Sequence, residues 1–246
     1  WIPREAIVRL DPPIDIARTV LAVSEDAIDL DGGEATLASF AARLRTGSRT
    51  RISFSTQFPA VRAPGDISYG IGDFVVSAAV RLAGDTLETS GFFVGVACRA
   101  PTGSRSLAPL SHASLDGSIG CEARGGVSIF AIRALARYTL AGERTEDEEF
   151  FHDHHASLAG AFAFDIPRAG SATVSAVWTR YNCGAARRSL CVSFSIDLSD
   201  AIAISAALAA EGGDALAASY DRFAGLSLSY RFSPRSATVS GESQAP

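Results

Sequence analysis

The chain has 246 residues, a net charge of −5 and 47% hydrophobic residues. An acidic balance without a basic run argues against nucleic acid as a partner. The longest apolar stretch, residues 201–210, falls short of the ~18 residues that a membrane-spanning helix needs. An apolar chain without such a helix is typical of a membrane β-barrel, whose apolar residues occupy alternate positions.

The N-terminal part of the chain is predicted to lie outside any barrel. Residues 1–16 contain three prolines, which are poorly compatible with a central strand. This segment either hangs in the periplasm, enters the lumen or docks on a partner. The chain holds no methionine and begins at Trp1. A removed signal peptide would account for the missing initiator, as would a trimmed start.

Apolar and polar residues then alternate with period two between turn residues. This pattern predicts about twelve strands of the ~9–11 residues that cross a membrane when tilted. In chain order the predicted strands are residues 17–28, 34–45, 51–58, 70–82, 90–99, 113–124, 127–140, 154–166, 171–181, 189–198, 201–210 and 219–232. The predicted fold class is all-β, a single transmembrane antiparallel barrel over residues 17–232 with a polar C-terminal tail at residues 233–246.

The predicted strand at residues 189–198 shows the two faces most clearly. Apolar side chains such as Leu190 and Phe194 alternate with small polar ones such as Ser193 and Ser195. Successive side chains of a strand point to opposite faces, so the two faces meet different surroundings. In a soluble sandwich the apolar face would meet a core. Here we expect it to meet lipid and the polar face to meet a hydrated lumen.

Short and long connections alternate along most of the chain. Tight turns are predicted near residues 46–50, 124–126, 167–171 and 198–201, and longer polar connections near residues 100–114, 141–155, 182–189 and 211–219. Outer-membrane barrels of Gram-negative bacteria have short periplasmic turns and long external loops. The predicted location is therefore the bacterial outer membrane, with membrane lipid and lipopolysaccharide as partners.

Residues 70–232 resemble a known family of outer-membrane proteins. The resemblance rests on Gly70-Ile71-Gly72-Asp73, on Arg99-Ala100-Pro101-Thr102-Gly103-Ser104 and on the closing segment LSLSYRF. The family is that of the phenol-degradation meta-pathway, often labelled simply "transporter". Its usual motif at the position of residues 99–104 is Lys-x-Pro-Thr-Gly-Asp. Arg99 and Ser104 depart from that motif. The resemblance implies passage or binding of small, often hydrophobic molecules and brings no catalytic residues.

The candidate functional residues are the charged side chains on the predicted inward face. They are Arg43, Asp73, Arg81, Arg99, Glu122, Arg124, Arg133, Arg137, Asp165, Asp197, Asp221 and Arg231. Charges inside a barrel are stable in water or in ion pairs. These residues therefore either line a pore and set its selectivity, or lock together as a plug. Arg133 and Arg137 form a positive stripe that Asp165 and Asp197 could face or neutralise.

Four cysteines suit an oxidising compartment. Parity and proximity favour two disulfides, one between Cys183 and Cys191 and one between Cys98 and Cys121. The alternative is that one or both pairs stay reduced, since cysteine is also an ordinary apolar residue.

An acidic loop near residues 143–155 contains His152, His154 and His155, which are weak candidates for binding a divalent cation. Because no closed ligand spacing is apparent, we predict a solvated external loop and neither metal nor cofactor. A His and a Ser two positions apart, at His155 and Ser157, raise the possibility of a lipolytic site. Their inward parity and the lack of an orienting third residue argue against an enzyme.

The predicted function is an outer-membrane channel or transporter for small solutes, either hydrophobic or anionic. The alternative is a non-conducting barrel that anchors a larger outer-membrane or envelope assembly. Its envelope protein partners would bind residues 1–16 or residues 233–246.

Overall fold

The structure is a computed structural model that describes residues 19–30, 33–46, 49–63, 66–84, 90–103, 114–127, 129–142, 145–147, 150–166, 170–199, 201–213 and 220–232. The predicted N-terminal segment, residues 1–16, and the predicted tail, residues 233–246, lie outside the described residues. Among the residues described, no helix is long and apolar enough to cross a membrane.

The described chain forms fifteen strands. They are β1 (Thr19–Leu30), β2 (Gly33–Arg45), β3 (Thr50–Ala63), β4 (Asp66–Tyr69), β5 (Phe74–Gly84), β6 (Gly91–Ala100), β7 (Asp116–Val127), β8 (Phe130–Leu140), β9 (Thr145–Asp147), β10 (Phe150–His152), β11 (His155–Ile166), β12 (Gly170–Tyr181), β13 (Ala186–Asp197), β14 (Ile202–Gly213) and β15 (Tyr220–Phe232). Twelve are long, and each of them falls on one of the twelve predicted segments.

The twelve long strands form one closed antiparallel ring. Neighbours in the ring follow chain order, and β1 pairs with β15 from Thr19 opposite Phe232 to Leu30 opposite Tyr220. The short β4 pairs with β3, and β9 pairs with β10 as a separate hairpin. A closed sheet satisfies its backbone groups internally, which a membrane requires. The predicted all-β barrel is confirmed.

The two faces of each strand meet different surroundings, as predicted. On β13 the side chains of Phe194 and Ser195 are 57% and 7% exposed. In the other long strands whose side chains the structure describes, the exposed large apolar side chains lie on the same outward face, for example Ile132, Leu208 and Leu228. This outer surface is an apolar band suited to lipid.

The ring has two distinct ends. The connections that follow β2, β7 and β13 lie at one end, which we call the periplasmic end. The connections that follow β3, β6 and β8 lie at the other, which we call the external end. Because the ring has an even number of antiparallel strands, its first strand begins at the same end at which its last strand finishes. β1 therefore begins and β15 ends at the periplasmic end.

One predicted external loop is wrong. Residues 182–189 form no long loop, because the chain turns between Tyr181 and Ala185 and β13 begins at Ala186. Gly184 has a φ of 101°, which favours glycine at the turn. Likewise β14 continues to Gly213, beyond the predicted end at Ala210. Arg187 and Glu211 are therefore wall residues and not loop residues.

The outward position of Phe194 can be tested by substitution. Phe194→Arg should impair assembly, because an arginine facing lipid near the middle of the membrane costs about 2–4 kcal/mol. Phe194→Leu keeps an apolar side chain and should assemble normally. Heat-modifiable mobility on gels measures both variants. Equal assembly of the two would contradict the assigned face.

Candidate functional site in the barrel lumen

The lumen has two unlike walls. Strands β2, β3 and β5 to β8 carry a set of inward arginines, namely Arg43, Arg51, Arg81, Arg99, Arg124, Arg133 and Arg137. Strands β11 to β15 present small buried side chains, among them Ser157, Ala163, Thr173, Ala203 and Ser227. The positive charge of the described lumen is therefore concentrated on one half of the ring.

Glu122 on β7 is the centre of the basic wall. Its Oε1 atom accepts hydrogen bonds from the Nε atoms of Arg124 and Arg133. Its Oε2 atom accepts a bond from Nη2 of Arg133 at 2.9 Å and a longer one from Nη2 of Arg51 at 3.4 Å. Three guanidinium groups thus converge on one carboxylate. Together with Phe93 these four residues are called the Glu122 cluster below.

The register of β7 and β8 explains why a carboxylate is needed here. Arg124 and Arg133 lie directly opposite each other across the two strands. Like charges at opposed positions repel. Glu122 precedes Arg124 by two residues and therefore shares its face. Since both arginines donate to the same oxygen of Glu122, the repulsion between them is offset.

Arg51 reaches Glu122 from a strand that is not a neighbour. Arg51 lies opposite Ala79 on β5, and Ala79 lies opposite Gly95 on β6. The side chains at these positions are only a methyl group on Ala79 and a hydrogen on Gly95, so they leave the inner face of β5 and β6 uncovered there. The long side chain of Arg51 can therefore cross them to reach β7.

Phe93 lies beneath the arginines. It is opposite Glu122 in register and only 2% exposed. The guanidinium carbons of Arg51 and Arg124 lie 5.0 and 4.7 Å from the centroid of its ring. Such cation–π contacts each stabilise by about 0.5–2 kcal/mol. The Nη1 atoms of both arginines are buried without a hydrogen-bond partner in the described part of the chain.

Asp116 holds two external connections against the wall. Its Oδ1 atom accepts bonds from Oγ of Ser114 at 2.9 Å and from the backbone N–H of Gly142 at 3.1 Å. Its Oδ2 atom lies 3.5 Å from Nη1 of Arg99. The predicted lumen residue Arg99 is thus part of an ion pair at the external end.

The two motifs that carry the family resemblance contact each other. Oγ1 of Thr102 donates to the carbonyl of Gly72 at 2.8 Å, and the N–H of Gly103 donates to Oδ1 of Asp73 at 3.3 Å. A β-carbon on Gly72 would lie 3.2 Å from Gln57, which explains the glycine. Asp73, predicted to line the lumen, is buried where it binds an external connection.

Asp153 has the same role at the next connection. It accepts bonds from the N–H of His154 at 2.7 Å and from the N–H of Cys183 at 3.2 Å. The N–H of Asn182 donates to the carbonyl of His154 at 3.0 Å. The end of the 141–154 connection is therefore fixed to the turn between β12 and β13.

A second buried ion pair joins β13 and β14 near the external end. Nε of Arg187 lies 2.6 Å from Oε1 of Glu211, and both side chains are almost fully buried. Nη1 of Arg187 also donates to the hydroxyl of Tyr181 at 3.4 Å. The ring of Tyr181 lies 5.2 Å from that of His155. The sequence pattern missed this pair because both charges were assigned to loops.

The structure brings together only some of the predicted lumen residues. Glu122, Arg124 and Arg133 form one cluster, whereas Asp165 lies on β11 four positions from Ala161, the residue opposite Arg133. Arg43, Arg81, Arg137 and Asp197 lie on the inward face of their strands. The side chains of Asp221 and Arg231 lie outside the described part of the structure. Sequence reasoning missed Arg51, Phe93 and Asp116, although their inward parity could have indicated them.

The two predicted disulfides are wrong, since all four cysteines are thiols. Cys183 lies in the turn, whereas Cys191 lies within β13 opposite Ser175 and Ala209. Cys98 and Cys121 are on neighbouring strands but four register positions apart. At a rise of ~3.3 Å per residue both pairs exceed the Cα separation of ~7 Å that a disulfide tolerates.

The residues considered for metal binding and lipolysis have other partners. In the described ranges no group of three or more His, Cys, Asp or Glu side chains is arranged to hold a metal ion. Nδ1 of His154 accepts a bond from the N–H of Ala141 at 2.9 Å, and Nδ1 of His155 donates to the carbonyl of Asp153 at 3.0 Å. Ser157 shares a hydrogen bond with Thr179 at 3.0 Å. The side chain of His152 is not among those described.

Comparisons with known proteins identify the architecture. No protein-family model matches the chain, and no curated protein matches it. Among solved structures it is similar to the COG4313 outer membrane channel from Pseudomonas putida F1, with 12% identity, a TM-score of 0.71 and coverage of 87% of this chain and 95% of that one. The fold is that of an outer-membrane β-barrel. This fold and the apolar outer band together place the protein in the bacterial outer membrane, as predicted.

Two further structures extend the likeness of this outer-membrane barrel. The KdgM porin in complex with disordered oligogalacturonate shares 9% identity at a TM-score of 0.62, over 86% of this chain and 99% of that one. The CymD monoaromatic hydrocarbon channel shares 9% identity at a TM-score of 0.53, over 94% and 93%. At these identities the similarity establishes the fold.

The buried pair of Arg187 and Glu211 predicts a large loss of stability on breaking it. Glu211→Gln removes the carboxylate that faces Arg187 and should cost about 3–5 kcal/mol. The control is the double variant Arg187→Met with Glu211→Leu, which removes both charges and should recover most of that loss. Guanidinium titration of the folded form on gels measures the difference. Equal losses in the two variants would contradict the ion pair.

The thiol state of the cysteines predicts a simple labelling result. Protein taken from intact outer membrane and unfolded without reductant should take up a thiol label at all four cysteines. Mass spectrometry counts the labels. A chain that carries two fewer labels than its reduced control would restore one of the disulfides rejected above.

Proposed function

We propose that this protein is an outer-membrane channel for small solutes and that its lumen favours anions. The Glu122 cluster carries this proposal, because Arg51 and Arg124 share one carboxylate, that of Glu122, and so leave an excess of fixed positive charge on the lumen wall. Rings or stripes of arginine in a pore favour anions over cations. The net charge of the whole chain is −5, so the preference would arise locally in the lumen.

We further propose membership of the phenol-degradation meta-pathway family. The support is the pair of quoted motifs, which contact each other through Thr102 and Asp73. A hydrophobic substrate is suggested by the resemblance, whereas the lumen arginines favour an anionic one. A small organic anion with an apolar body would satisfy both the basic wall and the wall of small side chains. No enzymatic step is proposed, since the resemblance brings no catalytic residues and Ser157, the serine considered for lipolysis, shares its hydrogen bond with Thr179.

The alternative is a non-conducting barrel that anchors a larger envelope assembly. A specific observation favours it, because the lumen charges occur in buried ion pairs such as Arg187 with Glu211 and Arg99 with Asp116. Ion pairs between lumen residues can stabilise the barrel wall whether or not they line an open pore. The two candidates differ in whether ions pass.

Recordings from planar bilayers separate the two candidates. In a salt gradient the native barrel should give currents whose reversal potential indicates anion preference. The double variant Arg133→Ala with Arg137→Ala should assemble, because Glu122 keeps Arg51 and Arg124, and its reversal potential should shift toward that of cations. Arg180→Gln, on the exposed outer face, should leave the potential unchanged.

Two results would contradict the channel proposal. A native barrel that stays silent at every voltage favours the anchoring subunit. A conducting barrel whose ion preference is the same in the double variant shows that these arginines do not set selectivity.

A further inference from the structure

We propose that the Glu122 cluster is a binding site for a small oxoanion, such as a carboxylate or a phosphate group. The proposal deepens the proposed function and rests on it for the supply of anions, while binding itself requires no current. The cluster would be one discrete site that a ligand can saturate, whereas anion preference in a channel requires only a diffuse positive field.

The charge of the cluster favours a bound anion. Three guanidinium groups face Glu122, and the side chains of Arg124 and Glu122 are only 9% and 6% exposed. Water screens such charges weakly, and a buried charge without a counter-charge is strongly unfavourable. In the described part of the chain Arg51 and Arg124 share Glu122 as their carboxylate, so a second anion would stabilise these two guanidinium groups.

Two guanidinium donors of the cluster are available to an anion. Nη1 of Arg51 and Nη1 of Arg124 are buried, and neither has a hydrogen-bond partner in the described part of the structure. Both guanidinium groups lie within 5.0 Å of the centroid of the same ring, that of Phe93. The two donors therefore belong to one small region. A planar fork of N–H groups matches two oxygens of an oxoanion better than it matches a spherical chloride ion.

Glu122 itself occupies the cluster in the way that a bound anion would. Its two oxygens already accept from the arginines as a bound carboxylate would. Glu122 is therefore a tethered competitor for the same guanidinium groups, which it contacts through Nε of Arg124 and Nη2 of Arg51. Of its contacts, the bond from Arg51 is long at 3.4 Å, which makes Arg51 the donor most readily given up to an entering anion.

Thermal unfolding of the purified barrel in detergent tests the site. A ligand that binds the folded state raises the unfolding temperature in a saturable way. Acetate and inorganic phosphate should each do so beyond chloride at the same ionic strength. Arg51→Gln and Arg124→Gln should each weaken the apparent affinity about tenfold, because each removes charge-assisted hydrogen bonds. Arg180→Gln removes the same charge from the outer face and should leave the affinity unchanged.

Removal of the competitor gives the opposite result. Glu122→Gln should bind acetate more tightly than the native barrel, which a merely structural cluster would not do. Should that variant fail to assemble, Glu122→Asp is measured in its place, since the shorter side chain competes less. The site would be overturned if acetate and phosphate raised the unfolding temperature no more than chloride does. It would also be overturned if Arg180→Gln lost as much affinity as Arg51→Gln and Arg124→Gln. Saturable binding in a barrel that carries no current would retain this site and reject the channel, and current without saturable binding would do the reverse.

Discussion

The whole structure depends on the closure of one sheet. A membrane provides no water for unpaired backbone groups, so a sheet can cross it only as a ring without edges. The contact that closes this ring is between β1 and β15, at the two ends of the described strands. Once the ring is closed, the alternation of side chains along each strand sorts them between lipid and lumen. Phe194 and Ser195 are adjacent in sequence and lie on opposite sides of the wall.

Closure also creates an interior in which charges must find partners. The acidic residues divide this work between them. Glu122 and Glu211 compensate arginines on the wall, whereas Asp73 and Asp153 accept backbone N–H groups and hold external connections. Asp116 does both. The Glu122 cluster differs from the other pairs because the arginines outnumber the carboxylate, and this excess is the physical basis of the proposed anion preference.

Period-two alternation predicted the strand number, the faces and the membrane class, since each depends on local order alone. It also placed Glu122, Arg124 and Arg133 on one face. It could not pair Arg51 with Glu122, which are 71 residues apart and three strands apart in the ring, because that contact depends on small residues at Ala79 and Gly95. The disulfide predictions failed for a related reason. The odd or even position of a cysteine in its strand fixes the face on which it lies, but not its position along the barrel axis. A disulfide requires two cysteines that match in both.

The lumen wall holds an arginine cluster with one internal carboxylate, Glu122, and with two buried guanidinium donors to which we assign a second anion. Crystals of the barrel grown with selenate test it most directly, since selenium scatters anomalously. We expect Glu122 between Arg51, Arg124 and Arg133, with an anomalous peak beside the Nη1 atoms of Arg51 and Arg124. Density that shows these arginines bound to other carboxylates, without a peak at saturating selenate, would contradict it.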